Sequence, residues 1–564
     1  MEINNQKLNV KSQKRKKLLT FFLFTFSLNC FAQQKNFSLN REWDLTAESV
    51  GGIMTDSGKV IPFQSCFKPY NENSGKFPSY NERSFTFDDF YPGARRKIFF
   101  ESLITIQDSL DKFHLAIDPL FNFEYGRDHA DSSMSFYKNT RGVLVRGDIG
   151  KKISFESSFL ENQATFVKYI GDYIKSADTL FPNPAKENLN VIPGQGRAKP
   201  FKKNGYDFAM SSGYVSYSPS THFNFQVGTG KHFVGDGYRS LLLSDNAFNY
   251  PFARITTSFG KFQYTNLYAS FMNLTSGGVK IPPGTERLFQ KKAGSFQFLS
   301  WNPHKRIQVG FFQGMIWKST DSLNKMRLNA NYFDPLIFVN AFQYGLQNEN
   351  NILLGSTLKL KITNSISLYG QYMLDDLAKD FIKNSLHNKQ GFQIGGKYFN
   401  VAGIKNLHLQ IEYNQVRPYS YAAENSAQSY TQYNQPLAHP LGANFKEAIV
   451  FLNYRYEDFF AEVKFISAFV GKDSLGKNLG NNIFLSDNFS YYGINSTLNK
   501  QNQGVETNLN IIDAHVGYLV NPSTNFNIVL GISNRSLSNS YISSQTNFIY
   551  LGIRTSLWNT YYDF

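Results

Sequence analysis

Cysteine is almost missing from this chain: Cys30 and Cys66 are the only two in 564 residues. Cys30 lies in a segment expected to be removed, which leaves Cys66 alone and rules out an internal disulfide. With no His nearby, that thiol lacks a nucleophile's surroundings. Charge is scarce too. Asp, Glu, Lys and Arg make up 18% of the residues, and the Lys are scattered rather than clustered, which argues against a nucleic-acid groove. Long apolar runs are also missing. Beyond the N-terminal region nothing is long enough for a membrane helix, so hydropathy alone reads as soluble. Tryptophan is rare (4), yet Phe (54) and Tyr (33) lift the aromatic share to 16%. That mixture suits strands, and it suits a surface facing lipid.

The N-terminal region reads as a leader. Lys14-Arg-Lys-Lys17 is followed by an apolar run, Leu18 to Leu28, and small Ala32 precedes Gln33. This is the pattern of a cleaved secretory signal over residues 1–32. A lipoprotein site at Cys30 would want small residues before it, where Leu28 and Asn29 stand. The formal charge is +15, of which six Lys/Arg against Glu2 in the leader supply 5, leaving +10. Such a surplus attracts anionic polysaccharide or lipid head groups, or simply keeps loops soluble.

The rest of the chain alternates with period two. In Leu407-His-Leu-Gln-Ile-Glu-Tyr-Asn414 one face is Leu, Leu, Ile, Tyr and the other is polar. Similar segments occur at 113–117, 121–125, 223–229, 366–374, 463–469 and 526–532. Short links near 151–152, 219–220, 260–261, 303–304, 364–365, 457–458 and 521–523 alternate with long ones, roughly 164–205, 231–252, 274–293, 318–350, 375–390, 417–446 and 471–506. A sandwich has no reason to sort its loops this way, whereas an outer-membrane barrel has short periplasmic turns and long external loops. The sequence therefore predicts an all-β fold, a transmembrane antiparallel β-barrel of about 18–20 strands over residues 81–564. Polar residues should face the lumen and apolar ones lipid. The end, Asn547 to Leu557 followed by Trp558-Asn-Thr-Tyr-Tyr-Asp-Phe564, reads as the terminal strand. Counting back from it places a strand at 96–106 and one more before it, at 83–90 or 60–67. Residues 33–80 are poorly patterned, a periplasmic or plug segment, and Pro62, Pro69, Pro78 and Pro92 argue against helices across 33–90.

The densest unusual segment is 228–251, holding Lys231, His232, Asp236, Tyr238, Arg239, Asp245 and Asn246 around Gly235 and Gly237. A phosphate-cradling loop would need Gly where Phe225 stands and Ser or Thr where His232 stands. A zinc site needs more ligands than His232. A triad from Ser240 or Ser244 with His232 has no nucleophile elbow around either serine. The loop 417–446, with Arg417, Tyr419, Tyr421, Tyr430, Tyr433 and His439, offers flat aromatic faces with polar tips, which suit sugar rings as well as plain loop packing.

Gly230-Lys-His-Phe-Val-Gly-Asp-Gly-Tyr-Arg-Ser-Leu-Leu-Leu-Ser-Asp-Asn-Ala247 resembles the motif of the capsule-assembly Wzi family. Asn331-Tyr-Phe-Asp-Pro-Leu-Ile-Phe338 and Tyr433-Asn-Gln-Pro-Leu-Ala-His-Pro-Leu-Gly-Ala-Asn444 are similar to its Bacteroidota branch, that of the gliding-motility protein RemB. The resemblance implies a non-enzymatic outer-membrane barrel; a monomer without cofactor or metal is expected. It would engage surface polysaccharide, or serve gliding or capsule-export machinery, and would have no nucleic-acid partner. The glycan-binding candidates are Lys231, His232, Asp236, Tyr238, Arg239, Asp245, Asn246, Arg417 and Tyr419. Two departures stand out: Val234 and Asp236 replace an aromatic and a Pro of the enterobacterial motif, and no periplasmic helical bundle is legible. The alternative from a different class is a porin-like channel for small solutes.

Overall fold

The computed structural model describes residues 34–55, 60–73, 75–76, 93–108, 112–131, 135–175, 190–274, 289–319, 329–346, 350–376, 388–474, 477–487, 500–555 and 558–564. The expected leader at 1–32 and the expected strand at 83–90 lie outside them. Eighteen strands form the wall, each joined antiparallel to the next. They are β1 (Phe113–Asp128), β2 (Ser135–Ile149), β3 (Ile153–Thr165), β4 (Gly205–Tyr217), β5 (Phe223–Gly230) and β6 (Tyr250–Phe259). Next come β7 (Phe262–Asn273), β8 (Gln290–His304), β9 (Ile307–Lys318), β10 (Asn351–Lys361), β11 (Ile366–Asp376) and β12 (Lys389–Phe399). The last six are β13 (Leu407–Val416), β14 (Phe445–Tyr456), β15 (Phe459–Lys472), β16 (Val505–Asn521), β17 (Phe526–Ser538) and β18 (Ser543–Thr555). Pairing of β18 with β1, from Phe548 opposite Asp128 to Arg554 opposite Asn122, closes the barrel. No edge is left for lipid to meet.

The loop asymmetry read from the sequence is present between β3 and β17, where two- to seven-residue turns alternate with long connections; the last connection, β17–β18, is only four residues. The lipid-facing band is apolar, with Val227, Ile394, Ile411 and Leu530 more than half exposed. Between them, Gln226, Gln393, Gln410 and Glu412 are buried toward the lumen.

Four expectations fail. Residues 96–106 do not make a wall strand; a helix at Ala94–Phe99 precedes a four-residue strand, Ile104–Gln107, that pairs with the start of β1. Residues 60–67 are not in the wall either. A helix, α1, does form in the poorly patterned segment, at Arg41–Val50. Asn40 caps it by accepting from the N–H groups of Glu42 and Trp43 at 3.0 and 3.2 Å, and Gly51 ends it at φ 95°; the prolines all lie beyond it. Finally, Trp558–Phe564 does not extend the last strand. It turns back into the lumen, where Asn559 donates its backbone N–H to Leu39 at 3.0 Å. It ends against helix α2 (Lys168–Lys175) in the long β3–β4 connection, with the Phe564 ring 4.7 Å from that of Tyr173.

The rule of polar lumen and apolar exterior is also reversed in one sector. On β7, β8 and β9 the luminal residues are Leu267, Phe271, Phe296, Phe298 and Phe312, and they join one buried cluster with Leu241, Leu242 and Leu243. Their neighbours Asn266, Ser295, Gln297 and Gln313 point outward and are nonetheless buried.

Candidate functional site

The loop 231–249 folds inward from the external rim, and wall side chains hold its backbone. Gln371 of β11 donates to the Val234 carbonyl at 2.8 Å and accepts the Leu241 N–H at 2.8 Å. Gln393 of β12 donates to the Arg239 carbonyl at 2.9 Å. Glu412 of β13 accepts the N–H groups of Tyr238 and Arg239 at 2.7 and 3.0 Å. Such close approach requires glycine at 235, which sits at φ 136° and where a Cβ would lie 2.1 Å from the Gln371 amide.

The second motif loop packs directly on the first. Tyr421 and Tyr430 donate their hydroxyls to the carbonyls of Leu241 and Leu242 at 2.8 and 2.6 Å. The Ser244 N–H reaches the Leu437 carbonyl at 2.7 Å, and Gln435 accepts the Phe248 N–H at 2.7 Å. Two of the three motifs are thus one structural unit. The third, 331–338, is elsewhere, on the outside of the barrel.

Arg239 and Asp236 of this unit are ion-paired. Arg239, 2% exposed, meets Asp563 at 3.1 Å and Glu447 at 3.2 Å, and it donates to the Asp563 carbonyl at 2.8 Å. Lys464 also reaches Asp563, at 2.9 Å, and Tyr238 donates its hydroxyl there at 2.5 Å. Burial works to raise the Asp563 carboxyl, but Arg239 and Lys464 outweigh it and hold it well below the carboxylate range. Asp236 pairs with Lys359 at 2.7 Å. From α1, Glu48 pairs with Lys397 at 2.7 Å and with Lys359 at 3.4 Å, and Asp44 pairs with Lys68 at 2.7 Å.

Beside this packed half lies a cavity of about 440 Å³, within the size range of small-ligand sites. Its walls come from β1–β5 and β14–β18, with α1 and the returning tail on the other side. Tyr214, Tyr550 and Trp558 give it aromatic faces; Lys138, Glu156 and Lys464 give it hydrogen-bonding groups. Of the sequence candidates, Lys231, His232, Tyr238, Asp245 and Asn246 line it. Lys231 donates to the carbonyls of Gly194 and Asp245 at 2.8 and 3.1 Å, and burial pulls its amine down to about 8. His232 is fully buried, 3.2 Å from the Tyr250 hydroxyl. Burial, with Arg254 adding to it, pushes its pKa well down and keeps it neutral. Asp245 accepts from Asn559 at 3.1 Å and is raised by burial.

Asp236, Arg239, Arg417 and Tyr419 do not line the cavity. Asp236 and Arg239 are ion-paired. Arg417 donates to the Asn388 carbonyl at 2.9 Å, and buried Tyr419 donates to the Asn478 carbonyl at 3.1 Å. Ser240 donates to the Val234 carbonyl at 2.6 Å and accepts the N–H groups of Leu242 and Leu243, while Ser244 accepts from Asn246; neither hydroxyl is bonded to His232. The residues that sequence reasoning passed over are Gln371, Gln393, Glu412 and Glu447. Period-two alternation put Gln371 and Glu412 on the polar faces of their strands, but nothing local says that a loop will fold down to meet them.

The fold has known counterparts. Wzi, an outer-membrane protein involved in group 1 capsule assembly in Escherichia coli and described as a carbohydrate-binding β-barrel, aligns at a TM-score of 0.50. It is 11% identical, and the match covers 92% of this chain and 98% of Wzi. Pseudomonas aeruginosa OpdK, solved with vanillate, aligns at 0.41 with 10% identity over 78% of this chain and 98% of its own. OprD of the same organism aligns at 0.40 with 10% identity, over 80% of this chain and 98% of its own. No protein-family model matches the sequence, and no curated protein matches it. The likeness to Wzi is therefore one of fold.

Proposed function

We infer that this chain is a non-enzymatic outer-membrane barrel that engages surface polysaccharide, with the luminal cavity as its glycan site. One observation carries the reading. Both motif loops, the segment around α1 and the returning tail converge in the lumen, where they are tied by buried ion pairs and leave a cavity flanked by aromatic faces. An open diffusion channel has no use for so much material in its bore, whereas sugar rings pair well with Tyr and Trp faces ringed by hydrogen-bonding groups. The fold shared with Wzi supports the same reading, and a role in gliding is its finer form, resting on the motif resemblance alone.

The test replaces Lys231 and Trp558 together by Ala and measures cell-bound against released polysaccharide. A shift toward released glycan, with the barrel still in the outer membrane, is the expected result. Unchanged retention in the double variant and in a gene deletion would refute the assignment. Planar-bilayer recording separates the porin-like alternative: a binding barrel is silent, while steady single-channel steps would mark a pore.

A further inference from the structure

The reversed sector of the wall has a cover. Residues 329–346, from the β9–β10 connection, lie along the lipid-facing side of β7–β9 rather than above the rim. Tyr264 donates to the Pro335 carbonyl, Tyr268 to the Phe333 carbonyl at 3.0 Å, and Gln297 to the Asp334 carbonyl at 3.3 Å. Trp317 stacks on Tyr332 with ring centroids 4.5 Å apart. Tyr264 is the third residue of β7 counted from the short turn, so the cover reaches to within roughly 10 Å of the periplasmic rim at the rise of a strand. Its outer side is apolar, with Phe342 at 88% and Leu336 at 61% exposure.

Beneath it the wall is polar where hydrocarbon would be expected. Asn266, Gln297 and Gln313 stand side by side across three strands, with Ser295 in the next row. All are buried, as is Asn340 in the short helix α3 (Val339–Tyr344) of the cover. Gln313 donates to Gln297 at 3.1 Å, but several atoms have no partner among the described residues. These are Asn266 Oδ1, Gln313 Oε1, Ser295 Oγ, Trp317 Nε1 and both polar atoms of Asn340. An unpaired buried polar group is destabilising, and lipid offers no water to relieve it. A permanent cover would be expected to satisfy these groups or replace them with apolar ones.

We propose that this outer-wall strip is a lateral binding site for an uncharged, hydroxyl- or amide-bearing amphiphile of the membrane, covered by residues 329–346. The chemistry follows from the atoms. The unpartnered set mixes donors (Trp317, Asn340, Ser295) with acceptors (Asn266, Gln313, Asn340), which fits hydroxyls and amides because each both gives and takes a hydrogen bond. The strip contributes no cation for a phosphate, and the one carboxylate of the cover, Asp334, is occupied by the Leu336 N–H at 2.9 Å. Its depth on the lipid side means that the ligand arrives through the bilayer on apolar chains. This site is independent of the luminal cavity.

The test keeps the whole protein in lauryl sulfobetaine micelles, titrates in dodecyl maltoside, and counts retained maltoside by native mass spectrometry. Wild type should retain maltoside at concentrations where Asn266→Leu/Gln313→Leu on the wall, and separately Asn340→Leu on the cover, each need at least tenfold more. Dodecylphosphocholine should not be retained by any of them. If the wall variant loses its heat-modifiable gel shift and so has not folded, Asn340→Leu decides alone. Equal retention by wild type and Asn340→Leu overturns the proposal. So does equal retention of the phosphocholine, or a loss confined to Lys231→Ala/Trp558→Ala, which would place the maltoside in the lumen.

Discussion

Arg239 and Asp563 are 324 positions apart in the chain and 3.1 Å apart in the fold, buried together in the barrel lumen. The pair joins the inward-folded motif loop to the tail that follows the last wall strand. Glu447 and Lys464 extend it to β14 and β15. A residue type that on a loop invites assignment to an anionic ligand is here a tie between three parts of one chain.

Breaking that tie strands a charge. Arg239→Ala or Asp563→Asn should each destabilise the luminal packing by about 3–5 kcal/mol, the scale for removing one partner of a buried pair. The double variant should lose less than the sum of the two. Limited proteolysis at 558–564 and thermal unfolding would read this, with the barrel's own melting transition retained.

Segment 34–55 should be acid-sensitive. Burial alone would raise Glu48, but Lys359 and Lys397 outweigh it and bring its carboxyl from 4.5 down to about 2. A carboxylate held low by folding adds stability at pH above its unfolded value and loses it as pH falls through its folded value. Protease release of α1 should therefore rise between pH 4.5 and about 2. In Glu48→Gln the segment should be released more readily at neutral pH, and this part of the acid response should vanish.

Lys231 should act in the same sense in a higher pH window. Its amine, brought by burial from 10.5 to about 8, carries fewer protons folded than unfolded between those values, so it makes stability rise with pH across that window. Carbon-13 methylation and an NMR titration should give a midpoint near 8 for Lys231. A midpoint near 10.5 would mean that the side chain is solvated.

Cys66 should be silent. Burial, with Asp236 adding to it, pushes its thiol up to about 12, and Thr357 lies 3.6 Å from the sulfur. A thiol reagent such as DTNB at pH 8 should leave it unlabelled until denaturant is added.

Much of the wall was legible because its signals are local. The alternation in Leu407–Asn414 and the spacing of short and long links are set by residues two or ten apart, and the strand count followed. What the sequence hid depends on distant partners. Phe296-Gln297-Phe298 alternates equally well with either face inward; it faces its phenylalanines to the lumen because Leu241–Leu243 meet them there and 329–346 covers the amide. Lys231 and Asp236 looked alike within one glycine-rich loop, yet the first borders the cavity and the second is neutralised by Lys359, a residue 123 positions away. The inward turn of Trp558–Phe564 was equally invisible, since an aromatic-rich ending is also what a last strand looks like.

The two flanks of the wall therefore share one fate, and this orders the folding. Contacts that fill the lumen join residues hundreds of positions apart, such as Arg41 with Glu462 and Arg239 with Asp563. Closing such wide loops is entropically unfavourable until the wall has brought their ends together. On this ground barrel closure is expected to come before the packing of its own contents. In a half-assembled state, the interior is an open bore with loose ends.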